Sequence, residues 1–251
     1  MKKPLILVSN DDGYQSGGIE TLARVLRPLA HVVVVAPEHE QSASSHSLTL
    51  HRPLRIRHRE TDLYTVDGTP TDCIFLAIHR VLKRRPDLIV SGVNWGANLG
   101  EDVHYSGTVS AAVEGALVGV PSIAFSLVVW RETRPIWSTA GEVAKKICKQ
   151  ALKEKISPGM VLNVNIPNVK ISCLKGMAFT RVGKRDYGQV IFDNKDPRGR
   201  KYYWIGGHER VLQRIPGTDC SAILARKVSI TPLKIDLTDH QYLMEKETQL
   251  F

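Results

Sequence analysis

Cysteine is scarce in this chain of 251 residues, with four in all. Cys73, Cys148, Cys173 and Cys220 are scattered, form no Cys-x-x-Cys pair and have no histidine at zinc-ligand spacing. That speaks against a structural zinc site and fits reduced thiols in an intracellular protein. No apolar run approaches the roughly 18 residues a membrane span requires. Met1-Lys2-Lys3 leads straight into a strand-like run rather than into the apolar core of a signal peptide. The cytoplasm is therefore the expected location, with no membrane partner. Phosphate-loop motifs are also missing, because there is no Walker sequence, and Gly92, Gly96 and Gly100 are spaced four apart, unlike a dinucleotide fingerprint. Paired Cys and His, basic heptads and an aromatic RNA-binding strand motif are absent too, so no specific nucleic acid partner is expected. Thirty-four basic against 25 acidic residues still leave a formal charge of +9, which favours anionic partners, small phosphorylated molecules best of all.

What is present begins with Leu5-Ile6-Leu7-Val8-Ser9, an apolar run with no polar face. It reads as a strand buried on both sides, as in the centre of a parallel sheet. The run stops on Asn10-Asp11-Asp12-Gly13. Two adjacent carboxylates at the edge of a core repel each other, and a divalent cation makes both charges favourable at once; a solvated turn is the competing reading.

Gly17-Gly18 open a helix with Ile19, Leu22, Ala23 and Leu26 at helical spacing, which Pro28 should end. Val32 to Ala36 is a second buried strand closed by Pro37, and strand, helix and strand in this span make a βαβ unit. Leu54 to Arg57 and Leu63 to Val66 read as an exposed hairpin at a sheet edge. Gly68-Thr69-Pro70-Thr71-Asp72 starts a helix reaching Leu82. Asp87 to Ser91 is a third buried strand, followed by a polar loop from Gly92 to Gly100. Ser106-Gly107-Thr108 starts another helix, and Ser122 to Ser126 is the fourth strand. A helix over Thr139 to Leu152, with Thr139 and Glu142 as a capping box, precedes a fifth strand, Val161 to Ile166.

Beyond that the alternation stops. Residues 1–170 are expected to form an α/β core with a parallel sheet, and 171–251 a β-rich C-terminal extension that does not fold alone. In the extension Val228 to Leu233 is strand-like. Pro232 cannot donate to a ladder, which puts this run at a sheet edge or hinge. Asp236 and His240, four apart, can pair if a helical turn begins there.

In a parallel sheet, ligands bind at the carboxyl ends of the strands. Three polar loops follow buried strands and fall on that edge, offering Asp11 and Asp12, a hydroxyl such as Ser42 and an amide such as Asn94. These are all oxygen donors, suited to magnesium, manganese or calcium. Ser106-Gly107-Thr108 adds free backbone N–H groups at a helix N-terminus, and Glu114 is the first acidic residue of that helix. A phosphate cradle or an ordinary Ser/Thr cap both fit this tripeptide. An aspartyl-phosphate phosphatase would need an acid two residues on, where Gly13 and Tyr14 stand. His39, His46 and His104 read as solvated loop histidines.

Val8 to Gly13, Ala36-Pro37-Glu38 with Gln41-Ser42, Gly68 to Cys73, Ser91-Gly92-Val93-Asn94 and Tyr105 to Val109 together resemble the SurE family (survival protein E, a 5′-nucleotidase). Pro197-Arg198-Gly199, Tyr203-Trp204-Ile205-Gly206 and Val228 to Leu233 extend the likeness over nearly the whole chain. The resemblance implies a Rossmann-like, SurE-like fold and a metal-dependent phosphatase acting on nucleoside 5′-monophosphates, with 3′-nucleotides and short polyphosphate as further substrates. It implies one divalent ion per subunit, magnesium or manganese, held by Asp11, Asp12, Ser42 and Asn94. Asp11 or Asp12 is the expected catalytic proton acceptor, and Asn98, Ser106, Gly107 and Thr108 the phosphate-binding set. It also implies a homodimer or homotetramer through an exchanged C-terminal segment, with the loop Asp193 to Lys201 taking part. Ala43, Trp95 and Ala97 depart from the family's usual residues. The rival reading is a non-catalytic nucleotide- or nucleic-acid-binding protein.

Overall fold

The computed structural model describes residues 3–130, 133–154, 156–186, 191–205 and 211–247. In chain order these form β1 (Leu5–Ser9), α1 (Gly17–Leu26), β2 (His31–Pro37), β3 (Ile56–Glu60), β4 (Leu63–Val66) and α2 (Pro70–Leu76), which continues as a π-helical turn over Ala77–Val81. Then come β5 (Leu88–Trp95), a 3-10 turn at Gly100–His104, α3 (Gly107–Leu117), β6 (Ser122–Val128), α4 (Trp137–Glu154) and β7 (Val161–Pro167). The remainder holds β8 (Met177–Phe179), β9 (Arg185–Asp186), β10 (Ile191–Lys195), β11 (Lys201–Ile205), β12 (Val211–Leu212), α5 (Asp219–Leu224), β13 (Val228–Leu233) and α6 (His240–Glu247). Gly206, the last residue of one family-like motif, lies outside the described residues.

Nine of the described strands form one sheet in the order β3-β4-β2-β1-β5-β6-β7-β13-β8. From β4 to β7 every neighbouring pair is parallel. All five residues of β1 and all seven of β6 and β7 are buried. The reason is in the alternation: Ile6 and Val8 face a core shared with α1 and α4, while Leu5 and Leu7 face one shared with α2. A strand covered on both faces has no place for a polar side, as its unbroken apolar run requires. Close packing is also written into Gly18, where a Cβ would fall 1.9 Å from the carbonyl oxygen of Val93 in β5.

Three boundaries differ from the sequence reading. β5 does not stop at Ser91 but resumes its pairing with β6 at Asn94 and Trp95 after an irregularity at Gly92-Val93, whose peptide is cis. α4 starts at Trp137, so Thr139 is a buried residue of its first turn and not its cap. Trp137 packs where a side chain on Gly17 would be, a tertiary contact that the local capping pattern does not encode. The hairpin strand β3 lies at Ile56–Glu60, two residues later than Leu54, and is the exposed sheet edge expected.

The C-terminal run is the larger difference. β13 pairs antiparallel with β7 and parallel with β8 of its own chain, and Val228 to Thr231 are buried. Pro232 stands opposite Leu162 of β7, beyond the three residues that β8 pairs, so its missing N–H leaves no gap in a ladder. The expectation that this run packs on a neighbouring subunit is thus corrected for β13; the segment beyond it is what remains for such a contact. Asp236 and His240 do meet, at 2.6 Å, as α6 begins.

Candidate metal and phosphate site

The ends of β1, β2 and β5 and the start of α3 converge. Asn10, fully buried, anchors the first turn by donating from Nδ2 to Gly13 O at 2.9 Å and to Ser16 Oγ at 2.8 Å. Asp11 follows, 5% exposed, and its backbone carbonyl accepts the N–H of Gln41, which ties the loop after β2 to it. The Thr108 hydroxyl donates to Asp11 Oδ1. Gly107 is pressed onto the same carboxylate, since a Cβ there would lie 2.9 Å from Asp11 Cβ and 3.0 Å from both Asp11 Oδ2 and Ser44 Oγ. Only glycine lets the helix start come this close.

Asp12 is half-buried and accepts the backbone N–H of Trp95 at 3.2 Å on Oδ2. Asn94 commits its Nδ2 to Gly96 O at 3.1 Å, which leaves its carbonyl oxygen for a cation. Burial pushes the Asp11 carboxyl up to about 6; the Thr108 hydroxyl opposes this and the Asp12 charge adds to it. Burial also raises Asp12, against the Trp95 N–H and with help from Glu40. Both acids are thus held in a place that disfavours their charge, the condition a divalent ion relieves.

Ser42 is the loosest member. It is exposed, and its hydroxyl donates to Glu40 Oε1 at 2.7 Å. Glu40 acts on Asp12 through its charge, so Ser42 belongs to the neighbourhood while facing a carboxylate. Among the described residues no three His, Cys, Asp or Glu side chains cluster to hold a metal. A metal here would rest on two carboxylates completed by neutral oxygens, and such an all-oxygen set fits a hard cation.

At α3, Ser106 accepts the N–H of Val109 at 3.1 Å, so its side chain is the helix cap. Thr108 is turned to Asp11. What the turn has left to offer an anion is the Gly107 N–H and the hydroxyl hydrogen of Ser106, because the Thr108 N–H also leans on the Asp11 carboxylate. Asn98 is buried away from solvent. It donates from Nδ2 to Ser126 Oγ at 2.8 Å, while its backbone carbonyl accepts from the Asn163 and Asn165 side chains at 2.8 and 3.0 Å.

Two residues escaped the sequence reading. Ser44 Oγ is buried beside Gly107 without a hydrogen-bond partner, and only its place in a hydroxyl-rich loop hinted at it. His46, read as solvated, lies 2.9 Å from the buried Glu114 of α3 and holds that loop to the helix.

Comparison with known proteins identifies the family. The family model described as survival protein SurE matches residues 6–189. A relative from Myxococcus xanthus named 5′-nucleotidase SurE is 52% identical over 95% of this chain and 90% of its own length. One from Vibrio vulnificus with the same name is 47% identical over 99% of this chain and 96% of its own. The crystal structure of the SurE protein from Aquifex aeolicus superposes with a TM-score of 0.86 at 43% identity, covering 98% of this chain and all (100%) of that one. An α/β fold with a mostly parallel sheet, the paired aspartates after its first strand and matches along nearly the whole length lead to one conclusion: the chain belongs to the SurE family.

Proposed function

We propose that this protein is a divalent-metal-dependent 5′-nucleotidase that hydrolyses nucleoside 5′-monophosphates to nucleoside and phosphate, the activity its relatives' names carry. The observation that supports it most is the contact between Asp11 and the first turn of α3 at Gly107 and Thr108. A carboxylate beside an anion-binding helix end repels phosphate, and the pairing becomes productive only with a cation between them. Asp11, Asp12, the Asn94 carbonyl and Ser42 are the residues that would hold it, one ion per subunit, magnesium or manganese. When bound, such an ion polarises a phosphoryl oxygen and acidifies the attacking water.

The chain's own groups do the rest. The Gly107 N–H orients the phosphate, and Thr108 fixes the Asp11 carboxylate with its hydroxyl and its own N–H. Asp12, the more open of the two acids, accepts the proton of the incoming water. Ser42 joins by turning from Glu40. Asn98, whose side chain donates to Ser126 inside the fold, shapes the strap before α3. The cytoplasm is the location we propose for the enzyme, following the scattered cysteines of the sequence. Among the described residues no helix is long and apolar enough to cross a membrane. The subunits associate through α6 and the β10–β11 hairpin, which expose Tyr242, Leu243, Met244, Phe192, Tyr203 and Trp204.

Phosphate release from AMP tests the proposal. Turnover is expected with manganese or magnesium, lost with EDTA and regained on adding the metal back; 3′-AMP and tripolyphosphate are the next substrates to assay. Tight AMP binding without phosphate release under any divalent ion would instead favour a non-catalytic nucleotide-binding protein.

A further inference from the structure

We infer that Asp219, far along the chain in α5, is a positioning residue for the phosphate cradle, and this rests on the nucleotidase reading above. The carboxylate is fully buried. Its Oδ1 accepts the N–H groups of Gly183 at 2.8 Å and Cys220 at 2.7 Å, and its Oδ2 accepts that of Gly100 at 3.0 Å. The last of these bonds reaches across 119 positions to the strap that leads into α3.

That strap is held at both ends. Upstream, Asn98 is fixed through its backbone, its N–H donating to Asn165 Oδ1 at 2.9 Å. Downstream, the C-terminal part takes three successive residues: Asp219 holds Gly100, the Arg185 N–H donates to Glu101 Oε2 at 3.1 Å, and the Arg185 guanidinium pairs with the buried Asp102. The carbonyl of Asp102 then accepts the N–H groups of Tyr105 and Ser106 at 3.0 and 3.1 Å. Ser106 caps α3, and the next two residues are the cradle. Leu99 is buried with Leu212, Cys220 and Ile223, so the same clamp is closed by apolar contact. The route from Asp219 to the Gly107 N–H therefore runs through a few short hydrogen bonds with little slack.

A carboxylate is what this position demands. Three N–H donors converge on it, and only an ionised acid presents two oxygens with no donor of its own. Asparagine keeps the bonds to Gly183 and Cys220 through its one oxygen but sets an N–H₂ against the N–H of Gly100. Asp219→Asn thus releases the strap while retaining the anchor of α5.

The test uses the full-length protein with manganese and AMP. For Asp219→Asn, the KM for AMP and the inhibition constant of inorganic phosphate should rise together by about tenfold, kcat falling less, as expected when positioned donors move off a charged ligand. Ile147→Ala, a cavity in the distant α4 core, lowers the melting temperature without moving either constant, which separates positioning from loss of stability. Wild-type values within about twofold in Asp219→Asn would overturn the inference while leaving the nucleotidase reading intact. An inactive wild type would instead strike at that reading. Should Asp219→Asn fail to fold, Arg185→Lys, which loosens the strap at Asp102, decides by the same criterion.

Discussion

The chain from β1 to β7 and the part after it use apolar residues in opposite ways. In the first, Ile6, Leu7, Val8, Ile89, Phe125 and Ile166 are almost wholly removed from solvent. In the second, every residue of β10 and β11 is exposed, Trp204 at 68% and Ile205 at 89% among them. Single exposed apolar residues are ordinary, but a run of them on neighbouring elements marks an interaction surface. Yet the second part is not one thing. β13 completes the main sheet, Asp219 and Arg185 hold the strap that leads to the site, and α6 and the hairpin present mostly exposed side chains. The division that matters lies within the C-terminal part, between segments that finish the fold and segments left for a partner.

The largest effect that can break this comparison comes from truncation. Ending the chain at residue 226 removes β13, opens the edge of β7 and uncovers apolar surface against which Val228 and Ile230 are buried. Aggregated or unfolded protein is expected, since burying those two side chains alone is worth roughly 1.5–3 kcal/mol each. Ending it after residue 238 removes α6 alone and should leave a folded, cooperative domain. A soluble 1–226 chain with a sharp melting transition would show that β13 is dispensable.

Asp11→Asn comes next, because it separates activity from stability within the core. Turnover should fall by about a thousandfold or more once a carboxylate ligand is lost. The metal-free fold should nevertheless gain. The Asp11 carboxyl, ordinarily near 3.8, is raised by burial to about 6. A raised acid favours the folded state when protonated, so its cost sets in as pH rises from about 4 to about 6 and persists above. At neutral pH the metal-free variant should be more stable by up to about 3 kcal/mol, the gap closing below about pH 4. Melting curves with EDTA across that range check it; an unchanged or lowered neutral-pH stability would mean that Asp11 is not a strained charge.

How much of this was legible follows from the same contrast. Buried parallel strands announce themselves because both faces are apolar, and their ends must share an edge, so the sequence alone gathers Asp11, Asp12 and Asn94. Ser106 and Thr108 are legible as a helix start, but their partners are not: whether a hydroxyl caps its own helix or reaches another strand depends on how closely α3 approaches β1, which Gly107 permits but does not declare. The extension of β5 was hidden by Gly92 and Asn94, whose types read as loop. Asp219 is not singled out in the sequence, since nothing local reveals a hydrogen bond to a residue 119 positions away.

Thr108→Val sharpens the site half of the comparison at a smaller scale. The substitution keeps shape and removes the hydroxyl that donates to Asp11 Oδ1. Loss of a hydrogen bond to a charged group is worth about 1–3 kcal/mol, hence about a 5- to 150-fold fall in kcat/KM. Ser106→Ala should cost stability through the cap more than catalysis, since its oxygen is what holds the Val109 N–H. Equal kinetic losses in the two would return the phosphate contact to the side chains.

The smallest effect on the fold belongs to α6. Leu243 and Met244 are 48% and 64% exposed there, so Leu243→Glu with Met244→Glu removes no buried contact from the subunit itself. A helix whose apolar side chains face water within its own chain contributes stability only where a second chain covers them. The double variant should therefore melt, at low protein concentration, within a degree or two of the parent. Light scattering at micromolar concentration should show the parent as a dimer or tetramer and the variant shifted to a smaller species. If the parent is already monomeric, the exposed apolar side chains of α6 are not an association surface, and the contrast between segments that finish the fold and segments left for a partner loses its second term. If the parent is a dimer and the variant remains one, the hairpin of β10 and β11 carries the association instead, and the same charge substitution at Trp204 and Ile205 identifies it.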